Sequence, residues 1–155
     1  MLALDYPVND FVLPSTSGQD FTLADNVGKN LIIYFYPKDD TPGCTAEGQG
    51  FRDYWHEFTE KNCIVIGISR DNIKSHKNFK EKMQFPFELL SDVDENVCNL
   101  FGVMNIKNMC GKQVLGIERS TFVIDTKGIL RKEWRGVKVP GHVQEVLDFV
   151  RTLHQ

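Results

Sequence analysis

Leu31 to Phe51 reads LIIYFYPKDDTPGCTAEGQGF, and the contrast between its two halves decides the fold. Leu31 to Tyr36 is an unbroken run of apolar, β-branched and aromatic residues of strand length, the pattern of a central strand covered on both faces. Pro37 ends the run because it has no N–H to give a central ladder, and Lys38, Asp39, Asp40, Thr41, Pro42 and Gly43 supply turn chemistry. From Cys44 the pattern changes: Phe51, Trp55 and Phe58 recur at intervals of four and three, an apolar stripe along a helix. The stretch predicts a buried parallel strand, a loop and a helix with Cys44 in its first turn.

That position has chemical content. The first four N–H groups of a helix have no internal partner, and the helix dipole leaves partial positive charge there. The charged form of a thiol is favoured at such a place, which opens a nucleophilic role to Cys44. Position alone equally allows a small apolar cysteine packed at a helix start.

Working outward, Cys63 to Ser69 (CIVIGIS) is a second continuous apolar strand, so strand, helix and strand make a right-handed βαβ unit. Upstream, Phe11–Leu13 and Phe21–Leu23 flank a Pro-Ser-Thr-Ser-Gly turn and predict a small N-terminal β-hairpin beside the main sheet. Downstream, Asp71 is expected to cap a helix from about Asn72 to Lys82, and Phe87–Leu90 to form a short strand. Asp94 is expected to cap a helix that faces Val97, Cys98, Leu100 and Phe101 inward and closes at Gly102. Met104 to Gln113 reads as a polar loop. Ser120–Asp125 and Ile129–Trp134 flank Thr-Lys-Gly, a hairpin signal that turns the later sheet antiparallel. Val143, Val146, Leu147, Val150 and Leu153 recur at three and four and predict a last helix. The charges of Lys77 to Lys82 read as a solvated helix face. The result is an α/β architecture, a central mixed β-sheet flanked by helices.

A chain of 155 residues suits one domain, taken as 1–155, and a domain of this size buries roughly 70% of its unfolded surface. A net charge of −3 gives no reason to expect nucleic acid or an anionic membrane as a partner. Trp55 and Trp134 read as packing residues, since no basic groove accompanies them. MLALDYPVNDF lacks the basic start and apolar core of a signal peptide, and no apolar run is long enough for a membrane span, so the cytoplasm is the expected compartment. Cys44, Cys63, Cys98 and Cys110 contain no C-x-x-C pair, which argues against a zinc knuckle or a thioredoxin-type dithiol, and structural disulfides are not expected. Histidines 56, 76, 142 and 154 form no i, i+4 pair, so no metal is expected; His142 reads as a cap of the last helix.

Pro37, Thr41 and Cys44 form Pro-x-x-x-Thr-x-x-Cys in the context YFYPKDDTPGCTAE, which resembles the peroxidatic motif of the peroxiredoxins. The likeness is to their Q type, the bacterioferritin comigratory protein branch of the AhpC/TSA superfamily. VIGIS (65–69), FELLSD (87–92), GIERSTFVID (116–125) and VPGHVQEVL (139–147) match in order, so it covers nearly the whole chain. The resemblance implies a thioredoxin-like fold and thiol-dependent reduction of hydrogen peroxide and organic hydroperoxides without metal, haem or flavin. It also implies thioredoxin as the reductant, with glutaredoxin or glutathione as the second choice, and a monomer or weak dimer.

The same resemblance assigns roles. Cys44 is the peroxidatic nucleophile and Thr41 places its hydroxyl beside the sulfur, while Pro37, with no N–H and a fixed φ, is expected to hold the loop against the sulfur and shield the intermediate from water. Arg119 reaches across to the sulfur, where a guanidinium offers a fixed charge and several N–H donors; Glu118 is a possible partner for it. Turn capping for Thr41 and a solvated strand-end role for Arg119 are the plainer alternatives. Attack leaves a sulfenic acid that a second thiol must capture before further oxidation. Here the chain departs from the family pattern. Gln49 stands where many members carry a resolving cysteine, and Phe79–Met83 contains none. Cys63 and Cys98 read as buried small hydrophobes, which leaves an external thiol, or Cys110 swinging in from KNMCGK. A rival reading of different class is a noncatalytic redox sensor or holdase that signals Cys44 oxidation to a partner.

Overall fold

A computed structural model describes residues 2–153; His154 lies outside them. In chain order the elements are β1 (Val12–Leu13), β2 (Phe21–Thr22), β3 (Asn30–Phe35), α1 (Pro42–Asp53), α2 (Trp55–Glu60), β4 (Cys63–Ser69), α3 (Ile73–Met83), β5 (Glu88–Ser91), α4 (Asn96–Leu100), β6 (Met104–Met109), β7 (Lys112–Ile117), β8 (Ser120–Ile124), β9 (Leu130–Arg135) and α5 (His142–Val150).

Every residue of β3 is buried, as its unbroken apolar run requires of a strand covered twice. It lies at the centre of a sheet ordered β5-β4-β3-β8-β9. β4 runs parallel to β3 and β5 parallel to β4, whereas β8 and β9 are antiparallel additions. Alternation sorts the side chains. Leu31, Ile33 and Phe35 meet Val8, Phe11, Leu13, Phe101 and Phe122 on one face, while Ile32, Tyr34 and Tyr36 meet Phe51, Phe58, Phe79, Val146 and Leu147 from α1, α2, α3 and α5 on the other. β1 and β2 pair antiparallel, and Ser15 bridges to Leu90, so the N-terminal hairpin flanks the β5 edge as expected.

Four local expectations are corrected. The stripe from Cys44 to Phe58 is carried by two helices, interrupted at Tyr54 (φ −99°, ψ 10°), and Phe51 and Phe58 stay buried on the same core. The cap of α3 is Asn72, whose side chain accepts from the Ser75 N–H, because Asp71 is occupied with the Ser69 hydroxyl and the Asp39 N–H. At α4 it is Asp92, not Asp94, whose carboxylate accepts from the Val97 and Cys98 N–H groups. Met104 to Gln113 is no loop: β6 and β7 form a six-residue antiparallel ladder. Its turn, Cys110 (φ 52°) and Gly111 (φ 78°), has the double positive φ of a two-residue hairpin. The strand signal is missing because most of β6 and much of β7 are exposed, so neither face demands an apolar alternation.

No helix among the described residues is long and apolar enough to cross a membrane.

Candidate active site

The topology brings three elements to one point. β8 runs antiparallel beside β3 with Ser120 opposite Phe35, so the residue before β8, Arg119, lies next to the chain leaving β3. That chain, Tyr36 to Thr41, turns into α1, where Pro42 takes the first helical position that suits its missing N–H. Cys44 follows in the first turn and is 2% exposed.

Arg119 Nη2 stands 3.6 Å from Cys44 Sγ, and Nη1 donates to Glu47 Oε1 at 2.7 Å. Glu47 is three residues after Cys44, on the same side of α1. The guanidinium therefore bridges sulfur and carboxylate, and its acidic partner is Glu47, not the adjacent Glu118. Gly43 makes room for this bridge, since a Cβ there would sit 3.0 Å from Nη2.

Glu47 is a feature that sequence reasoning missed. Its side chain is fully buried and its Oε2 makes no hydrogen bond. Burial pushes the carboxyl up to about 7 from its ordinary 4.5, and Arg119 offsets only part of that rise. The folded chain holds this proton more tightly than the unfolded chain, so the stability that Glu47 contributes falls as pH rises from 4.5 to about 7. At 1.36 kcal/mol per unit, the penalty at higher pH is about 3 kcal/mol. Glu47→Gln is expected to remove that slope. Denaturant unfolding across this range should show wild type losing about 3 kcal/mol relative to the variant as pH rises.

The motif residues have distinct settings. Thr41 is the N-cap residue of α1, but its hydroxyl donates to the Lys38 carbonyl at 2.8 Å, a turn bond. Pro37 is half-buried in the same loop. A second unpredicted group, Lys107 of β6, donates its ammonium to the Ile117 carbonyl at the base of the β6–β7 hairpin. Burial, then the charge of Arg119, lowers its pKa, while Cys44 acts the other way. Reading this segment as a loop hid that second cation.

All four cysteines are free. Cys63 and Cys98 are buried as expected; burial pushes the Cys63 thiol up to about 12 and the Cys98 thiol higher still. Cys110 is exposed at the tip of the β6–β7 hairpin. At ~3.3 Å per strand residue that ladder carries it about 20 Å from the base of the hairpin at Met104 and Ile117, two residues before Arg119. His142 does not cap α5. It is buried, with Nε2 2.8 Å from the Thr121 hydroxyl, and burial lowers its pKa to about 4, with Arg119 adding to the effect.

Known proteins resemble this chain in sequence and in fold. The AhpC/TSA family model matches residues 4–133. A Xanthomonas campestris peroxiredoxin Bcp is 49% identical over 146 residues, covering 93% of this chain and 91% of that protein. Bacillus subtilis peroxiredoxin Bcp is 44% identical over 146 residues, covering 94% and 93%. A structure of the Xanthomonas campestris bacterioferritin comigratory protein, studied for its alkyl peroxide reduction activity, superposes with TM-score 0.87 at 48% identity over 91% of this chain and 90% of that one. Xylella fastidiosa PrxQ gives 0.92 at 39% identity over 97% and 96%. The chain belongs to the AhpC/TSA family, in its peroxiredoxin Q branch. Its fold is thioredoxin-like and its function is that of a thiol peroxidase.

Proposed function

We propose that Cys44 is the peroxidatic residue and that Arg119, Thr41 and Pro37 complete its pocket, with hydrogen peroxide and alkyl hydroperoxides as substrates. The observation that carries this reading is the guanidinium 3.6 Å from a sulfur in the first turn of α1. The thiolate sulfur attacks one peroxide oxygen in line with the O–O bond. The bond breaks, sulfur loses two electrons to become a sulfenate, the other oxygen leaves with the electron pair and the peroxide's own O–H proton as water or alcohol, and a proton from solvent turns the sulfenate into the sulfenic acid. Charge grows on that leaving oxygen, and preplaced donors are most effective against it in a site closed to water. Arg119 supplies N–H groups whose direction Glu47 fixes. The Thr41 hydroxyl, donating to Lys38, keeps lone pairs free to accept from a peroxide O–H. Pro37 brings no competing N–H to the pocket.

An external thiol resolves the sulfenic acid. It condenses with the sulfenic acid to a mixed disulfide and water, and a second thiol displaces Cys44 and regenerates it. The distance of Cys110 from the base of its hairpin and the strand ladder that holds it favour this route over Cys110 itself. Thioredoxin, or glutaredoxin with glutathione, is the electron donor, and the working unit is a single-domain monomer or weak dimer. A cytoplasmic setting, where such donors are kept reduced, fits the cycle.

Steady-state assays with each donor test this. Wild type is expected to consume many equivalents of peroxide, and Cys110→Ser to stay within about twofold of it. Mass spectrometry after substoichiometric peroxide should find no Cys44–Cys110 linkage; finding one would assign resolution to Cys110. Oxidation that stops after one equivalent with every donor would replace the enzyme by a sensor.

A further inference from the structure

Outside the Cys44–Arg119–Glu47 bridge, the molecule buries a second polar cluster, and it is attached to the same loop. Asp39, in the turn between Pro37 and Thr41, has a side chain only 4% exposed. Its Oδ1 accepts from the Tyr36 hydroxyl at 2.6 Å. Oδ2 accepts from the Ser75 hydroxyl at 2.8 Å and lies 2.7 Å from Nδ1 of His76, which is fully buried. The Asp39 N–H donates to Asp71 Oδ2 at 2.9 Å, and that oxygen also accepts from the Ser69 hydroxyl at 2.6 Å. His76 Nε2 lies 2.9 Å from the Leu90 carbonyl. A carbonyl only accepts, so Nε2 is the donor in that contact.

Ligand atoms of Asp39, Asp71 and His76 fall within 4.8 Å of one another, as in a metal site. Yet Oδ2 of each aspartate already meets two hydrogen-bonding groups, and both His76 nitrogens are engaged. The cluster is complete as a hydrogen-bonded unit. It ties the chain leaving β3 to the end of β4, the first turn of α3 and the carbonyl of Leu90 in β5.

The loop so tied carries Pro37 and Thr41 and leads into the turn that carries Cys44. Two steps of the cycle make opposite demands on it. Peroxide needs donors held still around the sulfur. A reducing thiol must bring its own sulfur into line with one that is 2% exposed, so the loop or the first turn of α1 has to open. We propose that Asp39, clasped by His76 and Ser75, is a positioning residue that holds the loop closed for the peroxide step and sets how readily it opens for the reducing thiol. This rests on the peroxidase reading above. It also makes the clasp a determinant of overoxidation, because a sulfenic acid kept closed meets further peroxide before it meets a thiol.

Asp39→Asn keeps the shape and removes the carboxylate that accepts on both oxygens; Ser75→Ala removes one bond from a half-buried group. Sulfenic acid formation with limiting hydrogen peroxide, recharging by dithiothreitol and the sulfinic acid yield are measured separately on the full chain. Asp39→Asn is expected to slow the peroxide step about tenfold, leave recharging unchanged or faster, and raise several-fold the peroxide concentration that overoxidises half the protein. Ser75→Ala should shift the same ratio the same way by about twofold to threefold. A wild-type peroxide rate in Asp39→Asn overturns the proposal, as does an equal loss in both steps alongside a lowered Tm. Should Asp39→Asn not fold, the ratio in Ser75→Ala decides, and an unchanged ratio overturns the proposal. Failure of wild type to form a sulfenic acid at Cys44 would instead remove the peroxidase reading itself.

Discussion

Cys44→Ser is expected to abolish peroxide consumption, leaving a rate no higher than the buffer blank with any donor. The substitution exchanges one heavy atom in a site that is 2% exposed, so fold and Tm should change little, and the loss is chemical. A serine hydroxyl attacks only when an adjacent base takes its proton. None is placed for that here: the group in hydrogen-bond contact with the sulfur is the Arg119 guanidinium at 3.6 Å. A guanidinium stabilises negative charge and accepts no proton. Oxygen also has no counterpart of the sulfenic acid on which turnover depends. Because Cys63 and Cys98 are buried and Cys110 sits on a hairpin tip, no other thiol inherits the pocket. Trapping with a sulfenic-acid reagent and mass spectrometry would check the point. One labelled site in wild type and none in Cys44→Ser is expected; peroxide consumption surviving the substitution would move the chemistry elsewhere.

How much of this was legible beforehand depended on how local each signal is. Leu31 to Tyr36 announced a central strand because every residue of β3 is buried, so the composition of the run carried the whole message. The first-turn position of Cys44 was equally local, fixed by Pro37, Pro42 and Gly43. Arg119 is different. Seventy-five residues separate it from Cys44, and only the pairing of β8 with β3 joins them, so its role was readable through family likeness and not through spacing. Glu47 stood in plain view three residues from Cys44, yet its importance arises from burial against Arg119, which a sequence does not display. Lys107 and the β6–β7 hairpin were lost for the opposite reason: a ladder wetted on both faces leaves no periodic trace. The Asp39–His76 clasp leaves no local signal in the sequence, because its members come from segments far apart along the chain and only the fold brings them together.

Arg119→Met is expected to lower the second-order rate constant for hydrogen peroxide by about 100- to 1000-fold, the loss usual when one preorganised donor to a developing oxyanion is removed. Methionine keeps much of the side chain's volume and flexibility, so the change is chiefly one of charge and N–H groups. Two contributions add. The sulfur loses the one cation in hydrogen-bond contact with it among the described residues, and the leaving oxygen loses its N–H donors. A third effect acts on the fold. Glu47 is left fully buried with neither oxygen paired, and a buried carboxylate without a partner sheds its charge by holding a proton. Arg119→Lys separates these effects. An ammonium is a point charge that lacks the fork needed to reach Glu47 and the sulfur together, so rescue should be partial, about tenfold above Arg119→Met. Glu47→Gln, which leaves the guanidinium in place but neutralises its anchor, should fall between wild type and Arg119→Lys. Stopped-flow kinetics with limiting peroxide measures all four proteins, and recharging by dithiothreitol serves as the internal control. If Arg119→Met were as fast as Arg119→Lys, charge at this position would have no part in the reaction, and the bridge from Cys44 to Glu47 would be a packing feature only.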